Sequence, residues 1–112
     1  MKLPHGDRAR VDQEKIVQYL LNPAHPDNGG KAAFFLALGY NVNNWRLLAA
    51  AFQSLAANSD ISKKLESPHG SKYILDGMID APVGKSTVVR TIWAIDRGSE
   101  IPRLVTAYPH PV

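Results

Sequence analysis

No cysteine occurs among the 112 residues, and that one absence removes disulfide frameworks, zinc–thiolate sites and thiol nucleophiles together. No apolar run approaches the roughly 18–20 residues a membrane-spanning helix needs, so no membrane partner is expected. The opening Met1-Lys2-Leu3-Pro4-His5-Gly6-Asp7 has no apolar core of the secretory-signal kind, which points to a cytoplasmic site of action. His5, His25, His69 and His110 stand in none of the HxH, HxxxH or HExxH spacings that put two imidazoles on one ion. No metal or other cofactor is therefore expected. A basic run is missing as well. Lys and Arg number 13 against 10 Asp and Glu, a surplus that permits a polyanionic partner without requiring one.

What is present is ordinary globular material, 45% hydrophobic and 21% charged, enough for a single domain over residues 1–112. Residues 1–11 read as a lead-in or a short edge strand. Asp12 is placed to cap a first helix over 13–22, in which Ile16, Tyr19 and Leu20 recur at helical spacing. Pro23 stops it. A turn-rich loop to Gly30 precedes a short buried helix, Lys31 to Leu38, with Gly39 placed for its left-handed cap. Asn43 or Asn44 caps a third helix carrying Trp45, Leu48, Ala51, Phe52 and Leu55. This helical half spans about 12–58, and the polar stretch 59–71 reads as a junction.

Beyond the junction the hydrophobic period changes to two. Strands are expected over 72–80, 86–96 and 103–108, within a sheet half of about 72–108, ended by Pro109 and Pro111. The fold class is α+β, with three N-terminal helices packed on one face of a C-terminal antiparallel sheet of three to four strands. Any fourth strand is expected from the lead-in. Alternation assigns Tyr73, Leu75, Gly77 and Ile79, with Val89, Thr91, Trp93 and Ile95, to the helix side. Asp76, Val88, Arg90 and Ile92 then face the open side. In the last strand Leu104, Thr106 and Tyr108 are expected to join Arg90, with Arg103, Val105 and Ala107 opposite.

Arg90, Thr106 and Tyr108 would thereby offer a cation, a hydroxyl and a phenol to a phosphate and its sugar. The plainer alternative is a cross-strand Arg90–Asp76 pair. Gly84-Lys85-Ser86-Thr87 imitates a phosphate loop, but it lies in a hairpin and no glycine precedes Gly84 at the required spacing. That disfavours a nucleotide-dependent enzyme. His25, in a loop, is the candidate proton carrier. Lys31 opens a helix, where the macrodipole disfavours a cation, so an anion shared with that terminus is expected there. His110 lies in a proline-rich tail expected to be mobile.

Three stretches together resemble one family: Leu20-Leu21-Asn22-Pro23-Ala24-His25-Pro26; Gly30-Lys31-Ala32-Ala33-Phe34-Phe35 with Leu38-Gly39-Tyr40; and Val89-Arg90-Thr91-Ile92-Trp93 with Pro102-Arg103-Leu104-Val105-Thr106-Ala107-Tyr108-Pro109. It is a domain-of-unknown-function family of small bacterial proteins, also seen at the ends of phage and secreted toxin chains. That family looks like part of the Barnase–EndoU–colicin–RelE group of metal-independent ribonucleases, whose active residues line the open face of the sheet. The resemblance implies a ribonuclease toxin in which a 2′-hydroxyl attacks the adjacent phosphodiester of RNA, transfer RNA among the candidates. It implies His25, Lys31, Arg90, Thr106 and Tyr108 as catalytic residues and Thr91 and Arg103 as substrate-binding ones. A cognate antitoxin or immunity protein would be the protein partner. Such a toxin acts in the cytoplasm, or reaches a target cell's cytoplasm within a longer chain. The alternative is a non-catalytic module, such as an immunity protein or a phage accessory protein.

Overall fold

The computed structural model of the chain describes residues 1–110. A 3-10 turn, Gly6–Arg8, comes first, followed by a π-helix, Lys15–Leu20. Helices α1 (Lys31–Ala37) and α2 (Trp45–Asn58) precede four strands, β1 (Ile61–Ser67), β2 (Gly70–Asp80), β3 (Ser86–Asp96) and β4 (Arg103–Pro109). The strands form one antiparallel sheet in the order β1-β2-β3-β4. The α+β class and the antiparallel meander are as the alternating residues imply.

The core lies between the sheet and the helices. Trp93, Leu75 and Val89 of the sheet and Ile16, Leu20, Phe35, Leu48 and Phe52 of the helices have essentially no exposed surface. Gly77 admits α2 closely, since a Cβ there would meet the Leu55 side chain at 3.0 Å. Tyr40, also buried, donates its hydroxyl to the Asp80 carbonyl at 2.8 Å and ties the helical half to the end of β2.

Several boundaries differ from the sequence reading. The first helix is a π-helix, in which the Leu21 amide bonds the Ile16 carbonyl five residues back at 2.9 Å. Asp12 does not cap it. Its carboxylate pairs with Arg10 at 3.2 Å, while its main-chain carbonyl receives the Lys15 and Ile16 amides. Asn44 precedes α2 without a side-chain cap; its amide instead closes the Gly39–Asn44 turn. Gly39 does take the left-handed conformation, with φ 98°. The fourth strand comes from the stretch read as a junction. β1 is exposed along nearly its whole length, so it lacks the apolar alternation that marks a half-buried strand. The lead-in contributes only isolated bridges, Lys2 with Asp60 and Arg10 with Arg103.

Register explains the last difference. Ile92 pairs with Thr106 but Trp93 pairs with Leu104, so a bulge at Val105 breaks the alternation of β4. Thr106 and Tyr108 keep the expected open side. Leu104, expected beside them, instead turns to the core and is buried, while Arg103 moves to the open side opposite Ala94.

Candidate functional site

The π-helix sets Tyr19 on the shoulder of the core, between the fully buried Ile16 and Leu20. Such π-turns occur often at functional sites. Here the turn directs the phenol over the outer strand, β4, where its oxygen lies 3.0 Å from the Thr106 hydroxyl. The Lys31 ammonium donates to the same phenol oxygen at 2.8 Å. The His25 ring packs its edge against the Tyr19 ring, with centroids 4.9 Å apart and planes at 69°. Lys15 lies over the ring at 5.0 Å. Tyr19 thus joins three of the expected residues, from a loop, the start of α1 and a distant strand, with Lys31 and Thr106 at its oxygen and His25 at its ring.

Asn28 holds this arrangement in place. Buried and only 3% exposed, it donates to the Tyr19 carbonyl at 2.7 Å and accepts the Ala32 amide at 2.8 Å, locking the loop between the π-helix and α1. Gly29 and Gly30 meet the loop's geometry with positive φ. The Lys31 charge is directed to the phenol. Burial alone would raise the Tyr19 phenol pKa. Hydrogen bonds with Lys31 and Thr106, and the charges of Lys31 and Lys15, outweigh burial and bring it below its ordinary value.

His25 accepts the Asp27 amide at Nδ1 over 3.1 Å. In the neutral ring Nε2 then carries the hydrogen, which makes that atom a donor rather than a base. A surface depression runs beside Tyr19 and His25, lined by Lys15, Gln18 and Asn22 and also by Asp12 and Glu14.

Farther along the same sheet face, Arg90 sits between Asp76 of β2 and Tyr108 of β4 in the register. Its Nε and Nη2 donate to the two Asp76 oxygens at 2.8 and 2.9 Å, a bidentate pair. The plainer of the two expectations for Arg90 therefore describes its main contact. The Asp76 carboxylate raises the arginine pKa against a lesser effect of desolvation, and the Tyr108 phenol adds to the increase. In turn, the hydrogen bonds from Arg90 outweigh burial and lower the Asp76 carboxyl, with nearby His110 adding to the effect. His110 was expected to be mobile, but its amide bonds the Val88 carbonyl at 3.3 Å and its Nε2 lies 3.5 Å from Asp76 Oδ2.

Two expected substrate-binding residues are elsewhere. Thr91 is wholly buried on the helix side, donating to the Leu75 carbonyl at 2.9 Å and accepting the Trp93 indole N–H at 2.8 Å. Its hydroxyl is fully used in the core, which removes it from any substrate surface. Arg103 forms a bidentate pair with Asp96, at 2.8 and 3.0 Å, near the opposite end of β4 from Tyr108. Tyr19, Asp76 and His110 are the site-face residues not chosen from sequence as functional. For Tyr19 the available signal was a tyrosine, with its polar hydroxyl, in an otherwise apolar stripe. Among the described residues no group of three or more His, Asp or Glu is arranged to hold a metal.

The chain belongs to DUF6883, a domain of unknown function whose family model matches residues 2–111. None of the curated proteins compared matches it. Among solved structures it is similar to a chain in a contact-dependent growth inhibition toxin–immunity protein complex from Klebsiella pneumoniae 342. The identity is 25% over 96% of this chain and 97% of that one, with a TM-score of 0.73. No helix of the described residues is long and apolar enough to cross a membrane.

Proposed function

We propose that this DUF6883 chain is the toxin of a toxin–immunity pair and cleaves RNA without a metal. The observation that carries the reading is the convergence of His25, Lys31 and Thr106 on the Tyr19 phenol, on the face that also presents Arg90 and Tyr108. The similarity to a chain of a toxin–immunity complex supports the toxin context and a protein partner.

The reaction is attack of a ribose 2′-hydroxyl on the adjacent phosphorus. It needs a base, an acid and positive charge for the phosphoryl oxygens. Lys31 supplies the ammonium, and the Nε2–H of His25 supplies a hydrogen bond. Tyr108, two residues from Thr106 and so about 6.5–7 Å along the strand, donates the proton that the departing oxygen needs. Arg90 backs that phenol, and Asp76 fixes the arginine's plane.

The test is incubation of the pure protein with transfer RNA and total cellular RNA in EDTA. Products ending in a 2′,3′-cyclic phosphate are expected, together with growth arrest on expression without a protective partner. Lys31→Ala and Tyr108→Phe should each lower the rate by about 10²–10⁴-fold while keeping the fold. Wild-type protein that leaves RNA intact and instead protects cells from a toxin would mean that the chain is the immunity component.

A further inference from the structure

We infer that Tyr19 is the proton acceptor of the site, its phenolate held by Lys31 and Thr106 to deprotonate the attacking 2′-hydroxyl. The inference rests on the ribonuclease reading and names the base that the reading requires. Two residues that could serve have other roles. His25 has Nδ1 occupied by the Asp27 amide and presents a donor at Nε2. The imidazole of His110 faces the Asp76 carboxylate, beyond Tyr108 from the Thr106 contact.

Tyr19 has the surroundings of a general base. Its oxygen accepts from the Lys31 ammonium at 2.8 Å and lies 3.0 Å from a hydroxyl free to rotate and donate. Ionisation of the phenol therefore gains two hydrogen bonds pointing at the charge. The titratable groups facing the ring are Lys15 from its own helix, His25 from the loop and Lys31 from α1, and β4 contributes only Thr106. Among the described residues no carboxylate hydrogen-bonds the phenol oxygen. The net direction of its pKa is downward despite partial burial. A tyrosine drawn into the core only for its apolar ring would need one hydroxyl partner, not an ammonium as well.

The step balances. The 2′-oxygen bonds to phosphorus as the bond from phosphorus to the 5′-oxygen breaks. The 2′ proton passes to the Tyr19 oxygen, and the 5′-oxygen takes a proton from Tyr108. A 2′,3′-cyclic phosphate and a 5′-hydroxyl leave, and exchange with water returns both phenols to their starting states.

The phenols are read directly by NMR of protein labelled at tyrosine Cζ, with Tyr19→Phe assigning the resonance. Tyr19 should titrate below the usual tyrosine value of about 10, and Lys31→Met should move it back upward. The rising limb of the pH dependence of kcat/KM should follow the same group, shift upward in Lys31→Met and vanish in Tyr19→Phe. That last variant should also lose about 10²–10⁴-fold in kcat/KM. RNA cleavage by Tyr19→Phe at the wild-type rate and with the wild-type pH profile would overturn the assignment alone. Failure of the wild-type protein to cleave any RNA would remove the ribonuclease reading and the base with it.

Discussion

Residues of one chemical type divide here by what surrounds them. Thr91 and Thr106 both lie in strands, yet one hydroxyl is sealed between a carbonyl and an indole while the other meets a phenol at the sheet edge. The difference is measurable. Thr91→Val keeps the volume but leaves the Trp93 indole and the Leu75 carbonyl without their side-chain partner in the core. Stability in urea should fall by about 1–3 kcal/mol, and RNA affinity at fixed salt should stay at the wild-type level. A variant as stable as wild type with weakened RNA binding would return Thr91 to the substrate surface. Arg90 and Arg103 also resemble one another, since each grips a carboxylate with two N–H groups. Only Arg90 has a tyrosine opposite it in the register.

Among the elements, the link between the π-helix and α1 determines whether a site exists. Residues 21–30 form a series of turns, and the single side chain fixing them to both helices is Asn28. Asn28→Ala removes both hydrogen bonds, takes the side-chain partner from the buried Ala32 amide and leaves the Tyr19 carbonyl only its bond from the Asn22 amide. The expected loss of stability is about 1–3 kcal/mol. Because Lys31 would lose its aim, the Tyr19 resonance should also titrate closer to the usual tyrosine value. Loss of stability without that titration change would separate the loop's structural role from the site. The β4 bulge acts on the sheet in a similar way: one extra residue at Val105 sends Leu104 into the core while Thr106 and Tyr108 stay on the open face.

Taken whole, the sheet face carries its main ion pairs as carboxylate–arginine forks, Asp76 with Arg90 and Asp96 with Arg103. Both carboxyls are held below their ordinary value of 3.8, chiefly by hydrogen bonds from the partner arginine. Folding therefore favours their ionised forms. The stability they contribute is complete above that ordinary value and is lost as the pH falls through the lower folded-state values. Thermal stability should be steady from neutral pH to about 5 and fall below about 4, where unfolded carboxyls take up protons before folded ones. Asp76→Asn should unfold at a lower temperature than wild type at pH 7 and show a shallower acid decline. An equally steep decline in that variant would assign the acid sensitivity to other carboxylates.

The sequence alone determined the class of the fold and the side of the sheet on which most residues lie. Apolar spacing of 3.6 and then of two is a local property, written into Leu48, Phe52 and Leu55 and again into Val89, Thr91 and Trp93. It also brought Arg90, Thr106 and Tyr108 to one face, because alternation is preserved between Thr106 and Tyr108. Tertiary structure decided what no spacing encodes. β1 gains its place from pairing with β2 rather than from apolar burial, so its residues read as a linker. The bulge at Val105 is a mismatch between two strands and cannot be seen in either one. The role of Tyr19 depends on a lysine 12 residues away and a threonine 87 residues away. Its spacing within an apolar helix stripe showed only that it would pack. The hydroxyl acquired its partners when the outer strand and α1 closed around it.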